Sequence, residues 1–126
     1  MSEALPPARS QKLIAIVDDD EDVASALGSL VESMGVSATL FASADLFLSD
    51  REEEFDLVIS DVQMPGRSGL DLAKHLKGEG LPIILITAFP SAEIERQAHL
   101  HGVWCFIRKP FDPDELIDCI EHVLAE

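Results

Sequence analysis

Three acids, a hydroxyl and an amine stand where apolar runs end: Asp18-Asp19 after Leu13–Val17, Asp61 after Leu57–Ser60, Thr87 after Ile83–Ile86, and Lys109 after Val103–Ile107. Clustered carboxylates suit a hard divalent cation, which takes oxygen ligands and waters. A carboxylate can also attack phosphorus and become an acyl phosphate. The oxygens of that group then need charge neutralisation and a hydrogen-bond donor, which an ammonium and a hydroxyl supply.

Each residue also has a plainer role. Asp20, Glu21 and Asp22 suit an ordinary acidic helix N-terminus. Asp61 resembles a turn former, Thr87 a strand former and Lys109 a solvated surface amine. Asp18 and Asp19 fit the plain role poorly because they directly abut an apolar strand. Adding Asp61 would crowd like charges, at a cost of roughly 4 kcal/mol per pair at about 4 Å and an effective dielectric near 20. Mg²⁺ would relieve that repulsion. Calcium of the EF-hand kind is excluded, since Val23 stands where its loop needs Gly and Ser29 where it needs Glu. His75, His99, His101 and His122 form no paired ligand motif, and surface positions suit them. Trp104 and Phe106 are candidate core aromatics.

Convergence of these residues requires strands whose carboxyl ends share one edge. Apolar runs alternating with helical patterns give five β–α units and hence a parallel sheet wound on both faces. The first strand, Leu13–Val17, is continuously apolar, as burial on both faces demands. The first helix places Val23, Leu27, Leu30, Val31 and Met34 on one face and stops at Gly35. Ser37–Phe41 mixes polar and apolar residues, which suits an edge strand. Ser43 caps a second helix that turns Leu46 and Phe47 inward. Met64–Gly69 reads as a loop, followed by a helix carrying Leu70, Ala73 and Leu76. Ile83–Ile86 is wholly apolar and central. Ser91 caps a fourth helix whose inward face, Ile94 and Ala98, is thin, making it the most easily displaced element. Asp112-Pro113 opens the last helix, with Leu116, Ile117, Ile120, Val123 and Leu124 facing inward. The expected class is α/β, a flavodoxin-like (βα)5 fold with strand order 2-1-3-4-5. Acids stand in the first turn where a dinucleotide binder carries glycines.

The chain's 126 residues suit one domain, 12–126, preceded by a flexible tail, 1–11. Nine basic residues against 24 acidic ones give a net charge of −15, which disfavours nucleic-acid or anionic-membrane binding. No run approaches the roughly 20 apolar residues of a membrane span. Cys105 and Cys119 are not spaced as a CxxC pair and read as reduced, mostly buried thiols, favouring the cytoplasm.

Ile16–Asp22, Asp56–Gly66, Pro82–Ala88 and Phe106–Phe111 together resemble the receiver domain of bacterial two-component response regulators, from about Leu13 to the C-terminus. The opening block and Ser43-Ala44 are most similar to receivers of nitrogen-fixation-type regulators. The resemblance implies a signalling switch rather than a turnover enzyme. Asp61 would be the phosphoacceptor, loaded by a sensor histidine kinase or phosphotransfer protein. Asp18, Asp19, Asp61 and the Gln63 backbone carbonyl would bind Mg²⁺, while Thr87 and Lys109 would contact the phosphoryl group. Phe106 would be the switch aromatic, often Tyr in relatives, that acts by rotation. The output surface would be the fourth helix, fifth strand and fifth helix, acting on a downstream protein or effector domain. A stand-alone receiver and the receiver portion of a longer regulator both fit. A phosphohydrolase of the haloacid-dehalogenase kind would place its nucleophile after the first strand in a DxDx[TV] pattern, but Asp22 occupies the last place. A receiver-like module that is never phosphorylated is the other alternative.

Overall fold

A computed structural model describes residues 12–125, so the expected tail, 1–11, lies outside the described residues. The elements in chain order are β1 (Leu13–Val17), α1 (Glu21–Ser33), β2 (Ser37–Phe41), α2 (Ala44–Asp50), β3 (Leu57–Asp61), α3 (Gly69–Lys77), β4 (Ile83–Thr87), α4 (Ala92–Leu100), β5 (Cys105–Arg108) and α5 (Pro113–Ala125). All strand pairs are parallel, and the order is β2-β1-β3-β4-β5, as expected for a flavodoxin-like sheet.

Because successive side chains leave opposite faces of a strand, each apolar strand feeds two cores. Leu13, Ala15, Val17, Val58 and Leu85 pack with Ala44, Phe47, Leu72, Ala73, Leu76 and Ala98 from α2, α3 and α4. Ile14, Ile16, Leu57, Ile59, Ile84, Ile86 and Ile107 pack with Ala24, Leu27 and Val31 of α1 and Leu116, Ile120 and Val123 of α5. Phe41, Phe47 and Phe55 meet at ring separations of 5.2–5.9 Å. They tie the β2 edge to α2 and to the turn before β3.

Local signals set the helix ends. Asp20, Ser43, Ser68 and Ser91 cap α1, α2, α3 and α4 by accepting backbone N–H groups. At the other end, Gly35 and Gly102 take φ of +80° and +74°, a region costly for any residue with a Cβ. The next residue then turns back: Val36 N–H reaches Val31 O at 3.4 Å, and Val103 N–H reaches Ala98 O at 3.0 Å. Both are Schellman terminations with an apolar residue closing the motif.

That termination corrects the expected fifth strand. It begins at Cys105 rather than Val103, because Val103 is spent closing α4. Trp104 is accordingly 48% exposed and no core aromatic, while Phe106 is half-buried against the α2–α4 side. In α2, Phe47 points inward but Leu46 is exposed; Ala44 and Leu48 complete the buried face. The cysteines are free and partly buried. Burial, and then the neighbouring Cys119, push the Cys105 thiol up to about 12, so it stays protonated at neutral pH. The thin face of α4 is observed, with Ala98 its one buried residue.

Candidate functional site

The carboxyl ends of β1, β3, β4 and β5 share one edge, and the residues expected to do chemistry sit there. Asp61 and Thr87 are the last residues of β3 and β4, one position inside the strands rather than just beyond them. Asp18 and Lys109 directly follow β1 and β5. Backbone bonds hold them: Asp18 N–H to Phe41 O at 3.0 Å, Val62 N–H to Ile86 O at 3.0 Å, and Lys109 N–H to Thr87 O at 2.8 Å. The Lys109–Pro110 peptide is cis.

Lys109 Nζ lies 3.1 Å from Asp18 Oδ2 and 3.3 Å from Asp61 Oδ2. Both carboxylates are buried. Burial, and then the Asp18 anion, raise the Asp61 pKa above its ordinary 3.8, against the pull of Lys109. Burial alone would lower the Lys109 pKa, but the two carboxylates outweigh it and the net shift is upward. The site is therefore an ammonium clamped by two anions, one of which is held at an energetic disadvantage.

Asp18, Asp19 and Asp61 each offer an oxygen, and these oxygens lie within 4.8 Å of one another. Oxygens on opposite sides of an octahedral Mg²⁺ stand about 4 Å apart, so the spacing fits. Asp18 Oδ1 accepts the Asp20 N–H at 2.9 Å. Asp18 Oδ2 is buried and receives no aligned hydrogen bond among the described residues; its contact with Lys109 is an ion pair. A buried carboxylate oxygen left in that state suits a cation ligand. Asp19 is exposed, leaving room for the waters that Mg²⁺ retains.

Thr87 is fully buried. Its hydroxyl donates to Gln63 Oε1 at 2.6 Å and accepts the Phe89 N–H at 3.0 Å. Phe106, beside Leu85 in register, lies on the adjoining edge strand. Arg108 is exposed, away from the cluster.

Two contributors escape the motif reading. Ser60 donates its buried hydroxyl to Asp61 O at 2.8 Å. Gly69 belongs to the first turn of α3, with its N–H bonded to Val62 O at 2.9 Å. A Cβ at Gly69 would stand 2.2 Å from Asp61 O. The sequence does carry a signal for Gly69. Ser68 and Asp71 form a capping box, and the S-x-x-D spacing places Gly69 inside the helix rather than in the preceding loop.

Residues 14–121 match the response regulator receiver domain family. The response regulator protein TodT of Pseudomonas putida is 41% identical over 115 residues, which cover 89% of this chain and 51% of TodT. The transcriptional regulatory protein FixJ of Bradyrhizobium diazoefficiens is 34% identical over 116 residues, covering 90% of this chain and 57% of FixJ. The chain thus spans about half the length of these relatives. Among solved structures, the CheY-like response regulator receiver domain protein of Methanospirillum hungatei superposes with a TM-score of 0.86 at 28% identity, covering 92% of this chain and 95% of that one.

Proposed function

We propose that this chain, which belongs to the response regulator receiver domain family, is a switch driven by phosphorylation of Asp61. The observation that carries the reading is the Lys109 ammonium held between the buried Asp18 and Asp61 carboxylates. In the reaction, an Asp61 carboxylate oxygen attacks the phosphorus of a phosphohistidine on a sensor kinase or phosphotransfer protein. The N–P bond breaks, and its electron pair stays on the imidazole nitrogen, which takes up a proton. Hydrolysis of the resulting acyl phosphate returns the carboxylate and inorganic phosphate.

Lys109 balances charge on one side of the phosphoryl oxygens, and the Thr87 hydroxyl donates to one of them. Mg²⁺ held by Asp18, Asp19, Asp61 and the Gln63 backbone carbonyl would neutralise charge on the other side. Once phosphorylated, Asp61 carries more negative charge and new acceptor oxygens, which draw Thr87 and Lys109 from their resting partners. Thr87 leads toward α4, a helix with a single buried residue, and Lys109 leads out of β5, so strain passes to that face with Phe106 rotating. Leu100 and Trp104 are exposed there and offer an apolar contact to a downstream protein or effector domain. Residues 12–126 form the receiver unit in this reading. A phosphohydrolase using Asp18 as nucleophile is set aside by the family assignment and by Asp22, which stands where that enzyme's pattern needs Thr or Val.

Acetyl phosphate with Mg²⁺ should add one phosphoryl group, mapped to Asp61 by peptide mass. A chain that stays unlabelled would leave only a binding module. Mg²⁺ alone should raise the melting temperature, since a ligand at about 100 times its Kd adds about 2.7 kcal/mol. Identical melting in Mg²⁺ and in chelator would remove the cation from this account. Among the described residues, no helix is long and apolar enough to cross a membrane.

A further inference from the structure

A threonine hydroxyl has one proton to donate. In this structure that proton is committed to Gln63 Oε1, at 2.6 Å. The Thr87 hydroxyl oxygen in turn accepts the Phe89 N–H at 3.0 Å and so anchors the start of the β4–α4 loop. Gln63 is exposed, and an exposed glutamine loses rotamer freedom when held against one partner. It stands two residues beyond Asp61, on the loop leaving β3, and reaches across to the end of β4.

We infer that the Gln63 side chain is a positioning residue: an amide latch that keeps the Thr87 hydroxyl turned from Asp61 in the unphosphorylated state. The inference rests on the reading of Asp61 as phosphoacceptor and adds a second role to a residue so far assigned only through its backbone carbonyl. The competition is for one proton. A phosphoryl oxygen on Asp61 gains the Thr87 donor only when Gln63 Oε1 loses it, so the latch opposes activation by its own net strength. A ligand shifts such an equilibrium only by its differential affinity for the two states. Removing the latch therefore makes the activated state easier to reach, by between about two- and tenfold, the net worth of one neutral hydrogen bond.

The test uses the whole chain with Mg²⁺ and beryllofluoride, a non-hydrolysable stand-in for the phosphoryl group, so that an equilibrium affinity is read. Gln63→Met keeps length and loses the acceptor; Thr87→Val keeps shape and loses the hydroxyl. Gln63→Met should tighten beryllofluoride binding two- to tenfold in the native background and leave it unchanged in the Thr87→Val background. Equal tightening in both backgrounds, or none in either, overturns the latch. A native chain that binds no beryllofluoride overturns the phosphoacceptor reading, and the latch with it. An independent readout needs neither metal nor phosphoryl group. The Thr87 methyl resonance of the metal-free protein should shift in Gln63→Met, and an unmoved resonance overturns the proposal.

Discussion

Asp61→Asn should leave the chain unlabelled by acetyl phosphate and, at neutral pH without metal, make it melt at a higher temperature than the native protein. The first effect is chemical: a carboxamide has no anionic oxygen with which to form an acyl phosphate. The second is electrostatic. Burial, and then the Asp18 charge, raise the Asp61 pKa above 3.8 despite Lys109, so the folded protein holds that proton more tightly than the unfolded chain. The stability associated with this group is therefore complete below about 3.8 and is lost as pH rises through the folded value. At neutral pH the native chain bears the full penalty and the asparagine variant does not. The gap in melting temperature should be widest there and close as pH falls toward 3.8. Persistent stoichiometric labelling would move the acceptor to another residue. A lower melting temperature for the variant at neutral pH would mean that the bond to Lys109 outweighs burial.

Gly69→Ala should be the most damaging small substitution near the site. The added methyl would meet Asp61 O at 2.2 Å, and Asp61 C and Val62 Cα at 3.0 Å. All three are main-chain atoms at the end of a buried strand, and none can rotate away. Either α3 withdraws its first turn, breaking the Gly69 N–H bond to Val62 O, or the Asp61 backbone moves. Overpacking typically costs about 1–3 kcal/mol, and with backbone on both sides the loss belongs at or above the upper figure. Urea unfolding should show the midpoint fall with an unchanged slope, and acetyl-phosphate labelling should slow because the acceptor is displaced. A variant of native stability would show that α3 can slide outward freely.

Much of this architecture was legible in the sequence. Leu13–Val17 and Ser37–Phe41 could be placed because continuous and mixed apolar patterns separate an inner strand from an edge. Ser43 and Ser91 could be read as caps because a hydroxyl before an apolar face has few other uses, and their oxygens do accept Leu46 N–H at 3.0 Å and Ile94 N–H at 3.1 Å. Periodicity misplaced the start of β5, because it does not tell an apolar residue closing a helix from one opening a strand, and Val103 is the former. It misplaced Leu46 because α2 is only seven residues long, so one turn decides which side faces inward. At the site, residue type and strand-end position were enough to nominate Asp18, Asp61, Thr87 and Lys109. The reach of Gln63 to Thr87 was not legible, since a glutamine's rotamer is set by what lies opposite it in space. The contact of Gly69 with Asp61 was hidden for a similar reason: a missing side chain leaves no pattern.

The register of the sheet limits where this chain can change length. Ser60 sits beside Leu85, Asp61 beside Ile86, and Thr87 beside Arg108. Deleting one residue within β3 or β4 would send every later side chain of that strand to the opposite face and carry its reactive group away from the others. The opposite rim has no such constraint. Glu52, Glu53 and Glu54 are exposed, in the turn between α2 and β3, far from the edge that carries the acids. A reporter peptide spliced there should be tolerated, and a fluorophore on it would follow the protein through a signalling cycle without touching the parts that turn over.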